Sequence, residues 1–130
     1  MRMSKFVLLV SGLSILLAAC GAVQTTEVTP TAAPVTITMI TNPTSPMMGD
    51  MTLQFTVADE KGQPVTGADF DVIADHTDMG GMTMHGKATE QGIGVYAITA
   101  NFSMSGNWKL TVQVKKDALD YKQDISLKIK

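Results

Sequence analysis

The chain has 130 residues, 10 Lys and Arg against 12 Asp and Glu, and a formal net charge of −2. That balance excludes a basic nucleic-acid surface. One cysteine and two histidines are too few for the four Cys or His ligands of a structural zinc site.

Arg2 and Lys5 precede an apolar run over residues 6–19. A basic start and a short apolar stretch form a secretory leader. The run is shorter than the roughly 20 apolar residues of a membrane span, and Ser11, Gly12 and Ser14 dilute it. It ends in Leu17-Ala18-Ala19-Cys20, which resembles the lipobox of bacterial lipoproteins. That resemblance implies a signal peptide over 1–19 and a lipid on Cys20. The protein is then held at the membrane of a bacterial cell envelope, on the extracytoplasmic side. The plain alternative is an ordinary signal peptide with an incidental cysteine. Without Arg2 and Lys5, eight lysines face 12 acids, a net charge of −4. With Cys20 acylated, no thiol remains for a disulfide, a thiolate ligand or a nucleophile.

Residues 20–34 hold the cysteine and GAVQTTEVTPTAAP, small, polar and without period. This composition is that of a flexible tether. The folded domain is expected over 35–130, enough for one core.

Within it, Val35, Ile37 and Met39 alternate with threonines, as in a strand. TNPTSPMMG over 41–49 is a turn region. Met51, Leu53, Phe55 and Val57 share one face of a second strand, closed by Asp59-Glu60-Lys61-Gly62. Phe70 and Val72 mark a third strand over 68–74, with Asp69 and Asp71 outward. Residues 75–85, DHTDMGGMTMH, read as a loop with both histidines and three methionines around Gly80–Gly81. A short edge strand is expected over 87–90. Tyr96, Ile98, Ala100 and Phe102 share a face, as do Trp108, Leu110, Val112 and Val114. Ile125, Leu127 and Ile129 end the domain. About seven short strands without a long helix predict an all-β fold, an immunoglobulin-like β-sandwich. Trp108 belongs to its core.

Four pieces occur in order: Asp59-x-x-Gly62-x-Pro64-Val65, Met79-x-x-Met82, Gly94-x-Tyr96, and Gly106-x-Trp108-x-Leu110-x-Val112. Together, over about residues 35–115, they resemble the YtkA-like domain family. The resemblance implies a small exported or membrane-anchored β-sandwich. It also implies an association with copper handling and oxidase-related accessory proteins, so a copper-trafficking or oxidase-assembly protein is the expected partner.

The candidate site is Met79, Met82, Met84 and His85, with Met104 approaching from the turn before Trp108. Thioethers select Cu(I), and imidazole suits copper broadly. Gly80–Gly81 lets the backbone curl so that Met79 and Met82 converge. If Thr83–His85 is extended, Met84 and His85 point to opposite faces. The alternative is that these methionines pack over the open end of the core or face a partner. His76, between Asp75 and Asp78, reads as a solvated turn residue or a harder ligand for Cu(II). Met47 and Met48 are candidates for a transient copper site or a docking patch. No GxSxG, HExxH, phosphate-loop or calcium-loop pattern occurs, so no enzyme is expected. The expected function is therefore a tethered Cu(I)-binding or metallochaperone-like module. The alternative is a metal-free interaction or assembly module.

Overall fold

The computed structural model describes residues 34–130. The expected leader, Cys20 and all of the expected tether but Pro34 lie outside the described residues. Seven strands follow one another: β1 (Val35–Asn42), β2 (Gly49–Asp59), β3 (Asp69–His76), β4 (Thr83–Gly92), β5 (Val95–Phe102), β6 (Gly106–Lys116) and β7 (Leu119–Ile129). All neighbours are antiparallel, in the order β1-β2-β5-β4-β3-β6-β7.

The alternating patterns do what period-2 strands do: one face enters the core and the other meets water. Met51, Leu53, Phe55 and Val57 on β2 are buried, as are Trp108, Leu110, Val112 and Val114 on β6. The core also carries two aromatic groups. Phe70 packs between Phe55, with ring centroids 4.9 Å apart, and Tyr96, at 5.2 Å. Trp108 meets Phe102 edge-on at 5.1 Å and His76 at 4.8 Å. Trp108 is thus a core residue, as expected.

The seven-strand, all-β expectation holds, but the immunoglobulin-like sandwich does not. A sandwich keeps two sheets apart, face to face. Here β4 belongs to both halves. Its residues Thr83–Ala88 pair with β3, and Thr89, Glu90 and Gly92 pair with β5. A register shift between Glu90 and Gly92 accompanies the change of partner. Such irregularities bend a strand. At the far margin, Met48 N–H donates to Lys130 O at 3.2 Å, and Lys130 N–H donates to Pro46 O at 3.1 Å. These bonds tie the β1–β2 connection to the end of β7. The result is one sheet curled into a nearly closed barrel.

The barrel has two distinct ends. At one, the β2–β3 connection, the β4–β5 turn and the β6–β7 turn come together. At the other lie the β1–β2, β3–β4 and β5–β6 connections and the end of β7. Five methionines, Met47, Met48, Met79, Met82 and Met104, sit in the connections of this second end, and none in those of the first. We call the two the tyrosine end, after Tyr96, and the methionine end.

Candidate functional site

The stretch expected as a single loop is strand at both ends. Asp75 and His76 finish β3, and Thr83–His85 begin β4. Only Thr77–Met82 connect them. The chain turns through Gly80 and Gly81, the latter at φ +87°. That is left-handed space which glycine enters without a Cβ clash.

His76 is the residue this end is built around. The expected solvated turn residue is buried, with 6% of its surface exposed. Its backbone N–H donates to Met82 O at 3.0 Å, closing the connection. Its ring leans edge-on against Trp108. Nε2 lies 2.9 Å from the carbonyl oxygen of Ser105. A carbonyl only accepts, so Nε2 carries the hydrogen. Nδ1 is buried and has no partner among the described residues. Gly106 lies directly against this ring, at φ +124°. A Cβ there would fall 2.8 Å from His76 Nε2 and 2.8 Å from Asp78 Oδ2.

Asp78 holds the neighbouring connection. Its Oδ2 accepts the backbone N–H of Asn107 at 2.8 Å, and both carboxylate oxygens lie 3.2 Å from the Asn107 amide nitrogen. The backbone and then the side-chain hydrogen bonds from Asn107 hold its pKa below the ordinary carboxylate value. Thr77 adds two bonds to Asn107 O, from its N–H at 2.8 Å and its hydroxyl at 3.0 Å. Trp108 Nε1–H donates to Met104 O at 3.2 Å. The β3–β4 and β5–β6 connections are therefore fastened to each other, with His76 beneath them.

The five expected ligands lie in different surroundings. Thr83–His85 is extended, so Met84 and His85 alternate: Met84 packs against the core, and His85 is exposed opposite Ile73. Met104 also packs against the core. Met79 is 48% exposed and Met82 half-buried. His76 is occupied by Ser105 and Trp108. Among the described residues, no group of three or more His, Cys, Asp or Glu side chains is placed to hold a metal ion. The expected Cu(I) cofactor is corrected accordingly, and with it the metallochaperone-like function. The physical cause is the strand: its alternation sends neighbouring soft and imidazole donors to opposite faces.

What the end does offer is apolar surface. Met47, Met48 and Met79 are 52%, 55% and 48% exposed. Between β4 and β5 runs a cleft of about 410 Å³ lined by Leu53, Val72, Ala74, Met84, Ile98 and Phe102, among others. Sequence reasoning found the methionines but missed the cleft and the buried His76. The one signal for His76 was its place in the alternation Phe70, Val72, Ala74, His76.

No curated protein sequence matches the chain. Among solved structures, the chain resembles the adhesin InvE of Yersinia pseudotuberculosis at TM-score 0.54 and 18% identity, over 75% of this chain and 28% of that one. It thus spans little more than a quarter of the adhesin. It also resembles the PmoD soluble domain from Methylocystis sp. ATCC 49242 (Rockwell), at TM-score 0.52 and 11% identity, over 77% of this chain and 94% of that one. At such identities the likeness is one of fold alone. The sequence itself carries more, since the model of the YtkA-like family matches residues 29–113, most of the chain, and the chain belongs to that family.

Proposed function

We propose that this protein is a metal-free interaction or assembly module of the bacterial cell envelope, docking partners through its methionine end. The observation that carries the reading is the segregation of the loop methionines. All five lie at one end, and three of them are exposed at its surface. Methionine is unbranched and polarizable, and suits surfaces that adapt to a partner. Exposed apolar residues gathered in one place mark interaction surfaces. The fastened connections beneath them hold that surface in a defined shape.

The leader and Cys20 support an extracytoplasmic, lipid-anchored placement, with residues 20–34 as the tether and the domain beginning near residue 35. A lipid there keeps the domain within reach of membrane-associated partners, with the chain entering the barrel at the tyrosine end and the methionine end facing away from that point. Of the partner classes that the family resemblance implies, an assembly protein accords with a metal-free domain, and a copper-trafficking one does not.

Site-specific photo-crosslinking in cells tests the docking face. A photoreactive residue replacing Met48 should give discrete crosslinked species. One replacing Ile93, 77% exposed at the tyrosine end, should not. Equal crosslinking at both positions would remove the reading. The anchor is tested separately by mass spectrometry of the membrane-fraction protein. An unmodified Cys20 there would exclude lipidation, whereas Cys20→Ser should release the protein or leave its leader uncleaved.

A further inference from the structure

The sheet that makes the barrel is unzipped along half of one seam. β4 and β5 pair only through Thr89, Glu90 and Gly92 on β4 and Val95–Ala97 on β5. Continued upward, the same register would set Lys87 opposite Thr99 and His85 opposite Asn101. Those pairs do not form. Residues 84–88 keep β3 as a partner, and residues 98–102 keep β2. Among the described residues, each therefore has one edge without a strand neighbour. Every second residue along such an edge points its N–H and C=O into the opening.

Between these edges lies the apolar cleft. Its floor is core: Leu53 from β2, Val72 and Ala74 from β3, and Phe102 from β5. Its volume, about 410 Å³, is within the range of ligand pockets, roughly 300–1,000 Å³. Ile98 leans across it. A Cβ on Gly86 would collide with Ile98 Cδ1, so the glycine is what lets the isoleucine fold inward.

Charge narrows the choice of occupant. The charged groups flanking the opening already have partners. Lys87 Nζ binds Asp69 at 2.6 Å and Asp71 at 3.1 Å. Asp75 accepts from the Thr83 hydroxyl at 2.6 Å, and Asp50 from Asn101 Nδ2 at 2.7 Å. The cleft lining itself contains no lysine or arginine, and its one ionisable side chain is the His85 imidazole, so no permanent cation awaits a carboxylate or phosphate head, which disfavours a lipid. The open backbone edges call for neutral hydrogen-bonding groups spaced like a strand.

Resting on the interaction reading above, we propose that the β4–β5 opening receives an uncharged, extended segment of a partner protein. The segment alternates apolar and polar residues. Its backbone pairs with both open edges, completing the barrel, and its apolar side chains displace Ile98 and fill the cleft. Strand addition of this kind draws affinity from the main chain and selectivity from alternate side chains.

The test uses the full chain in detergent and a capped heptapeptide of alternating valine and threonine. Hydrogen exchange is followed by mass spectrometry. The peptide should slow exchange in both 84–88 and 98–102. Versions N-methylated on either edge should bind at least about tenfold more weakly, because several backbone bonds are lost while side chains remain. Gly86→Val, which fills the cleft, should weaken the parent peptide comparably, with an unchanged melting temperature confirming the fold. Should that variant unfold, the methylated peptides still decide. Equal binding of methylated and parent peptides, or displacement of the peptide by octanoate alone, would replace the strand site with a plain apolar pocket. Protection confined to one edge, or none, would also overturn the proposal. Retained crosslinks at Met48 in those cases would leave the methionine-end reading standing.

Discussion

At the tyrosine end, the Tyr96 hydroxyl donates to Val65 O at 2.8 Å and accepts the Ala68 N–H at 3.0 Å. Nearby, Glu90 accepts from Gly67 N–H at 2.9 Å, and Asp59 accepts from the N–H groups of Lys61 and Gln63, both at 2.9 Å. At the methionine end, His76 has one nitrogen bonded and the other buried without a partner. The strands beside it part company, and thioethers stand in water. Both ends cap the same core. One is satisfied bond by bond, and the other leaves hydrogen-bonding and apolar capacity unused. Buried polar groups cost most when left unpaired. A buried nitrogen left unpaired and an opened seam at one end are what a receptor surface needs, and the other end supplies the rigidity.

The comparison breaks if the methionine end proves soft down to its core. Trp108 decides this. It is buried beneath that end between Phe102 and His76. Trp108→Ala should be the most damaging of these changes, costing about 3–5 kcal/mol in denaturant unfolding. A loss under about 1 kcal/mol would mean that the end is loosely packed throughout. The cleft proposed to take a strand would then lose the support behind Phe102 in its floor.

Tyr96→Phe sharpens the other side. It removes one hydroxyl and strands two groups, the buried Val65 carbonyl and the Ala68 N–H. The expected cost is about 1–3 kcal/mol, the penalty for unsatisfied buried partners. His76→Phe is the matched change at the methionine end. It deletes the orphaned Nδ1 along with the Nε2 donor and keeps a ring against Trp108. Ser105 is exposed, so water can serve its carbonyl. The expected cost is within about 1 kcal/mol. If His76→Phe costs more than Tyr96→Phe, the ranking of the two ends is inverted.

How far the sequence reached follows from the same physics. Strand faces are written in alternation, so the buried positions of β2, β5 and β6 were legible residue by residue. Strand neighbours are not. Nothing in Thr83–Gly92 shows that β4 divides itself between β3 and β5, because its residues, Met84 apart, are small, polar or charged and mostly exposed. That one strand turned an expected sandwich into a nearly closed barrel. The same short apolar content made its first residues look like loop. Whether Met84 and His85 could converge hung on whether Thr83–His85 was extended, and the strand holds them apart. His76 was misread for another reason: flanking aspartates suggest solvent, whereas its position in the β3 alternation places it inside.

Asp78 supplies the smallest effect and a pH signature for the fastening between the two connections. Its pKa is held below the ordinary value chiefly by the Asn107 backbone N–H, and next by the Asn107 side chain. A carboxyl depressed in the folded state binds protons more readily when unfolded. Its contribution is therefore fully present above the unfolded value, about 3.9, and is lost as pH falls through the lower folded value. Asp78→Asn keeps the shape and removes the charge. In urea unfolding, wild type should exceed this variant by a small constant margin near about pH 6, since the site is solvent-screened. The margin should close on acidification below about pH 4. A margin that stays constant across that range would show that Asp78 acts through shape alone. The β3–β4 and β5–β6 connections would then be held by Thr77 and His76, not by the carboxylate.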